Sequence, residues 1–168
     1  MTEASRIATL LKLKPLAVEG AFFVETYRSA ETIPREALPE RYAGARSLST
    51  AIYYLITAST FSAMHRLLSD EVYHFYLGDP VELLTVRPDG TFEVHILGPD
   101  VPGGQEPQVV VPRGVWQGAR LRPGGEFALL GTTVAPGFDS ADYEHGRRAA
   151  LTGLCPGARK LLEALADE

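Results

Sequence analysis

The chain has 168 residues, one cysteine and a formal net charge of -5, from 21 acidic against 16 basic side chains. A domain of this size buries roughly 70% of its unfolded surface without staples, Cys155 excludes an intrachain disulfide and fits a reducing compartment, and the acidic balance excludes electrostatic binding of phosphate backbones. No apolar run approaches the roughly 20 residues that span a bilayer, and the first residues, Met1 to Arg6, lack the basic and apolar segments of a secretory leader, so the expectation is one cytoplasmic domain over residues 1–168 with no membrane or nucleic-acid partner.

In chain order, Ile7, Leu10, Leu11 and Leu13 stop before Pro15 and predict a short amphipathic helix over about 5–14, docked on a larger body. From Phe22 the period changes. Short β-branched and aromatic runs predict strands at Phe22–Thr26, Thr50–Thr57, Val72–Leu77, Val81–Val86, Phe92–Leu97, Gln108–Val111, Gln117–Leu121 and Phe127–Val134. Strands this short, broken by Gly and Pro turns, predict an all-β sandwich or barrel over about 22–135. Pro88-Asp89-Gly90 predicts a tight hairpin. Leu161, Leu162 and Leu165 then predict a closing helix over about 157–166. Internal repeats and linkers are lacking.

The residues that bear chemistry concentrate between Phe61 and Gly78, where His65 is followed six residues later by Glu71 and Glu71 seven residues later by Gly78. A second strand-and-turn signal follows at Val111-Pro112-Arg113-Gly114-Val115-Trp116-Gln117. This layout resembles the two motifs of a cupin barrel, H-x-H-x(3,4)-E-x6-G followed by P-x-G-x2-H, with Leu67 where the second histidine would be and Gln117 where the last would be. The segments Glu19–Ser29, Thr50–Leu55, Ser69-Asp70-Glu71 with His74-Phe75-Tyr76, Gly78-Asp79-Pro80, Val111–Trp116 and Val134–Asp139 are together similar to a family of small cupins long catalogued as a domain of unknown function. The chain departs from that pattern at Ala21, where a second glycine is usual, and at Arg113, where a small residue is usual. The resemblance implies a double-stranded β-helix (jelly-roll barrel), a homodimer and an open barrel mouth facing a small-molecule ligand. It implies no reaction, and its nearest suggested relatives are cupin-type nucleotide-sugar epimerases.

Strand alternation puts Ala63, His65 and Leu67 on one face and Glu71, Tyr73 and Phe75 on one face, which makes His65 and Glu71 pocket residues. As metal ligands, His65, Glu71 and Gln117 offer one imidazole, one carboxylate and one weak amide oxygen, because leucine coordinates nothing. The expectation is that no cofactor is required, with weak occupancy by a divalent metal as the alternative. Without a metal, His65 and Glu71 form an acid–base pair, since an imidazole titrating near roughly 6.5 abstracts protons at neutral pH. The resemblance to the epimerases implies a tyrosine acid opposite the histidine base, and Tyr54, Tyr73, Tyr76 and Tyr143 are its candidates. A bland reading stands beside this one, in which His65 and Glu71 only hydrogen-bond each other in a polar interior.

His74 is a third catalytic candidate if a β-bulge near Val72 turns it inward; on a regular strand it faces the outer layer or a dimer interface. His95 and His145 read as solvated. Tyr54, Phe61, Tyr73, Phe75, Trp116 and Gln117 are the candidate ligand-binding residues, with Tyr53 beside them, and at least half of the aromatics are core. Arg28, Arg46, Arg66 and Arg113 are candidate anion clamps or plain surface arginines. Three functions follow: a metal-independent isomerase or epimerase acting on a carbohydrate or nucleotide sugar, a metal-dependent cupin enzyme with a minimal His/Glu site completed by His74, and a non-catalytic ligand-binding module.

Overall fold

Strands that carry apolar side chains on both faces need cover on both sides, and two facing antiparallel sheets with helices outside them supply it. The computed structural model describes residues 2–17 and 20–166, so Glu19 of the opening signature lies outside the described residues. Its main elements are α1 (Glu3–Leu10), β1 (Phe22–Arg28), β2 (Thr50–Thr57), β3 (Ser62–Arg66), β4 (Asp70–Gly78), β5 (Val81–Val86), β6 (Phe92–Leu97), β7 (Gln108–Val111), β8 (Trp116–Leu121), β9 (Phe127–Ala135), α2 (Arg148–Leu154) and α3 (Arg159–Leu165), with two-residue strands at Lys14–Pro15, Thr32–Ile33, Arg46–Ser47 and Glu144–His145. One sheet has six strands, with β1, β2, β9, β4 and β7 in that order and Lys14–Pro15 beside the start of β1. The other has five, with β3, β8, β5 and β6 in order and Glu144–His145 beside β3. No helix among the described residues is long and apolar enough to cross a membrane.

Alternation along the strands sorts the side chains into three buried clusters. Tyr54, Ile56, Tyr73, Leu83, Ala119 and Leu130 meet in the cluster between the sheets. Met64, Leu84, Val86 and Trp116, one step out of phase, turn to the outer face of the five-stranded sheet and are covered by Leu151 of α2 with Leu162 and Leu165 of α3. Leu55, Phe127 and Leu129 face out from the six-stranded sheet and receive Ile7 and Ala8 of α1. The rest of that outer face is bare, with Tyr27, Tyr76, Leu77 and Val110 exposed.

β1, β4, β8 and β9 run one or two residues beyond their expected bounds at one end or both, and the terminal regions differ for local reasons. α1 ends at Leu10 rather than near Lys14, because Lys12 takes a φ of 57° and the N–H groups of Lys12 and Leu13 turn back to the carbonyls of Thr9 and Ala8. This is a helix stop usually made with glycine. The C-terminal region holds α2 as well as α3, the two separated by a turn at Pro156–Ala158. β3 and α2 are both additional to the expected elements. Gly78 of the first motif closes β4 with a φ of 102°, and a Cβ there would collide with the Phe127 carbonyl oxygen, so glycine is required on two counts.

A buried ion pair ties the short Arg46–Ser47 strand, which pairs with Thr32–Ile33, to the single helical turn Ser140–Asp142. The Nε and Nη2 of Arg46 donate to the two carboxylate oxygens of Asp142 at 2.7 and 2.5 Å, and both side chains are 4% exposed. Carbonyls of Gly44 and Ala45 take Nη1, and the guanidinium lies 5.3 Å from the Tyr42 ring centroid. The carboxylate holds the Arg46 guanidinium above its ordinary value, chiefly through these hydrogen bonds. Asp142→Asn is expected to cost about 3–5 kcal/mol in urea unfolding, because it leaves a buried charge uncompensated, whereas the apolar double variant Arg46→Met with Asp142→Leu recovers most of the loss. A neutral effect of Asp142→Asn would contradict this.

Candidate functional site

The end of the space between the sheets is not filled by side chains. A cavity of about 200 Å³ remains there, and its wall includes His65, Leu67, Glu71, Tyr54, Tyr73 and Thr132. Met64 and Arg66 on either side of His65 turn to the outer face, so His65 and Leu67 face inward, whereas the β3–β8 register slips between Ser62 and His65 and Ala63 is not part of the cavity wall. Glu71 and Tyr73 come from β4 on the facing sheet, and Tyr54 from β2 of that same sheet, with β9 between the two strands. His65 and Glu71 therefore approach across the sandwich rather than along one strand.

Their contacts set their states. His65 is 2% exposed, and its Nδ1 lies 2.8 Å from the Ala63 carbonyl oxygen, which only accepts. Nδ1 therefore carries the hydrogen, and in the neutral ring the lone pair is on Nε2. Nε2 lies 4.0 Å from Glu71 Oε2. That same oxygen accepts a 2.7 Å bond from Gln117 Nε2, and the backbone of Gln117 sits opposite His65 in the β3–β8 register. Gln117 is 1% exposed and its Oε1 has no hydrogen-bond partner among the described residues. The ring of Tyr143 stacks on His65 with centroids 5.1 Å apart and planes 20° apart, and it arrives on the segment that Asp142 anchors.

The other candidates fall elsewhere. His74 stays on the outer face of β4, where Nε2 meets Thr133 Oγ1 at 3.1 Å and Nδ1 meets Gln108 Nε2 at 3.2 Å. The β4–β9 register does slip, but between Leu77 and Phe75, beyond His74, so the inward turn weighed for it does not occur. Trp116 is on the outer face of the five-stranded sheet, beneath α2 and α3, with the Arg66 guanidinium 4.5 Å from its ring centroid; Phe61 packs on the same cluster. Phe75 packs partly buried against the central cluster without reaching the cavity wall. Gln117 reaches the site through Glu71 and is not part of the wall. Tyr76 also lies outside, its ring over Gly131 and 5.9 Å from that of Tyr53, and burial followed by the Tyr53 phenol pushes its own phenol above the ordinary value. His95 is held by Glu106 at 2.9 Å and Glu93 at 3.4 Å rather than solvated, and His145 pairs with His65 in the short Glu144–His145 strand, its Nδ1 3.3 Å from the Tyr143 hydroxyl.

Sequence reasoning missed part of the wall: Phe23 and Glu25 of β1, Ile52 of β2, and Thr132 and Val134 of β9. The signal was present as period-two spacing, since each pair is two residues apart or in register with a residue already assigned inward. Arg28 also reaches the wall, next to Glu25. As a metal site the cavity is poor in donors. Leu67 occupies the wall, the Gln117 amide presents an N–H and not an oxygen to the carboxylate, and no group of three or more His, Cys, Asp or Glu side chains suited to a metal ion occurs among the described residues.

This geometry agrees with known proteins. A protein of Saccharomyces cerevisiae, "Uncharacterized protein YML079W", is 34% identical over 134 residues, covering 74% of this chain, and the match spans 66% of the yeast protein's length. A hypothetical protein from Leishmania major has a solved structure that superposes with a TM-score of 0.88 at 28% identity, over 99% of this chain and 100% of that one. A dTDP sugar isomerase from Desulfovibrio desulfuricans shares the fold at 16% identity, with a TM-score of 0.56 over 88% of this chain and 95% of the isomerase. Residues 5–146 match the family described as "Cupin superfamily (DUF985)". With the paired motifs, the facing sheets and the cavity at one end of them, the chain belongs to that family of cupins.

Proposed function

We propose that the chain is a metal-independent isomerase or epimerase of a small carbohydrate, with His65 as its base. The observation that carries this reading is the hydrogen bond from Nδ1 to the Ala63 carbonyl, which assigns the basic lone pair to Nε2, the nitrogen 4.0 Å from Glu71 Oε2 on the same cavity wall. His65 belongs to one sheet, while Tyr54 and Tyr73 line the opposite wall from the other. A sugar ring held between them has a base on one face and a phenol on the other. Nε2 takes the proton from a carbon next to a carbonyl, and the C–H electron pair moves onto the carbonyl oxygen as an enolate. The phenol of Tyr54 or Tyr73 returns a proton to the other face of that carbon as the enolate collapses. Solvent then carries the proton from the imidazolium to the phenolate, so both groups are restored. The Glu71 carboxylate, 4.0 Å away, stabilises the imidazolium between the two steps.

The same donor set supports chemistry without a resident metal. A cation between His65 and Glu71 would face the Gln117 N–H already bonded to Glu71 Oε2, and Leu67 adds no ligand. The dTDP sugar isomerase of Desulfovibrio desulfuricans is a precedent for sugar isomerisation on this fold, while the pocket itself carries the argument.

In heavy water, with a panel of ketose phosphates and keto-sugar nucleotides, the protein is expected to place deuterium next to the carbonyl of at least one member. His65→Asn should abolish the exchange and Glu71→Gln should lower it by about tenfold or more, with unfolding midpoints close to the parent's. Exchange that survives His65→Asn would remove the base assignment. Plasma mass spectrometry of purified protein should find well under one equivalent of any transition metal; a full equivalent that is lost on His65→Ala would move the reading to the metal-dependent enzyme.

The homodimer belongs to the same proposal. β1 pairs with β2 on one side, while on the other, among the described residues, Lys14–Pro15 pairs with Phe22 and Phe23 and no strand pairs with Val24 to Arg28, next to the exposed Tyr27. An open edge beside bare apolar side chains favours pairing about a two-fold axis. Light scattering at micromolar concentration is expected to give twice the 18.2 kDa chain mass, and a monomer would refute the dimer.

A further inference from the structure

The four arginines singled out as anion clamps separate cleanly. Arg46 is consumed by Asp142, Arg66 pairs with Glu144 at 2.7 Å and covers Trp116, and Arg113 is exposed on the turn before β8. Arg28 borders the His65 cavity. A regular strand would not put it there. Phe23 and Glu25 face the cavity, so an undisturbed β1 would turn Tyr27 inward next and send Arg28 outward. The β1–β2 register slips between Glu25 and Tyr27, with Thr26 as the extra residue. The slip reverses the phase: Tyr27 is 54% exposed and Arg28 joins Glu25 on the cavity wall. Bulges recur beside binding sites because they re-aim a side chain in this way.

What is re-aimed is a fixed charge with donors to spare. Arg28 Nε and Nη2 donate to the two oxygens of Glu25 at 3.0 and 2.8 Å, and Nη2 also reaches the Phe138 carbonyl at 3.2 Å. The hydrogen bonds to Glu25 hold the guanidinium above its ordinary value. The two N–H groups of Nη1 have no partner among the described residues. Arg28 and Glu25 are 44% and 40% exposed, which places them at the mouth, while Phe23, Ile52, Leu67 and Val134 make the wall apolar. The cavity, at about 200 Å³, lies below the roughly 300–1,000 Å³ of sites that enclose a drug-sized ligand.

We propose that Arg28 is a specificity residue that takes the anionic group of the ligand, and that the substrate is a small sugar carrying a carboxylate or a phosphate rather than a neutral sugar. The anion accepts the Nη1 hydrogens and competes with Glu25 for the fork on the other side, so Glu25 is an internal rival of the ligand. This assignment rests on the preceding reading for the nature of the sugar body, but anion capture at the mouth does not require His65 to act as a base.

The test measures dissociation constants by calorimetry for three probes of one carbon skeleton: glucose, gluconate and glucose 6-phosphate. The anionic probes are expected to bind at least tenfold more tightly than glucose. Arg28→Met should bring them down to the level of glucose, Arg28→Lys should restore part of the difference, and Glu25→Gln should tighten both by severalfold. Preference for gluconate over glucose 6-phosphate, or the reverse, identifies the anion. Equal binding of glucose and its anions, no binding of any probe, or anion affinity untouched by Arg28→Met would overturn the proposal. His65→Asn separates the two readings: it should keep the anion preference while losing deuterium exchange, so a protein that prefers anions without exchanging loses only the catalytic reading, and one that exchanges without the preference loses only this one.

Discussion

Everything at the site depends on the cost of holding a carboxylate and an imidazole between two sheets, out of bulk water. Each needs partners or the group neutralises, and the fold supplies them from three strands. The Ala63 carbonyl takes one imidazole hydrogen, and the Gln117 amide gives a hydrogen to the carboxylate. β3 and β8 are neighbours, which puts Gln117 across from His65, and β4 faces them from the other sheet. A slip of one residue in the β3–β8 register would send Gln117 outward and Trp116 inward, leaving the carboxylate without its donor.

Most of this is legible in the sequence. β2, β5, β6 and β7 have the bounds that the apolar runs and their Gly and Pro punctuation predict, because short two-sided strands leave little choice. The inward face of His65, Glu71 and Tyr73 follows from parity alone. Parity also explains the errors: Trp116 and Gln117 are adjacent, so they cannot both face the cavity, and His74 is an odd step from Glu71. What could not be read is the bulge at Thr26, since an extra residue in a strand leaves no distinctive composition and reverses the phase of all that follows. Nor could the approach of Tyr143, which depends on an ion pair 96 residues apart in sequence.

The two replaced motif positions have different physical consequences. Leu67 adds apolar surface to the cavity wall, which lowers the local dielectric and strengthens every charge–charge contact near it. Gln117 keeps hydrogen-bonding capacity but reverses its sense, giving the carboxylate a donor where an imidazole ligand would have presented a lone pair to a cation. Together the two positions leave a hydrogen-bonded carboxylate beside an apolar stretch of wall.

The segment that carries Asp142 and Tyr143 is held at several points: by Arg46, by the Arg66–Glu144 pair, and by the N–H of Gly146 on the Met64 carbonyl. Neither the short strand that bears Arg46 nor this segment can lift alone without stranding a charge in the interior, so the two form one opening unit in the sense of hydrogen exchange. Amide protection should be shared between stretches that are distant in sequence. Entry to the imidazole from that side is then a concerted event with a single opening free energy, whereas the mouth beside Arg28 remains accessible without it.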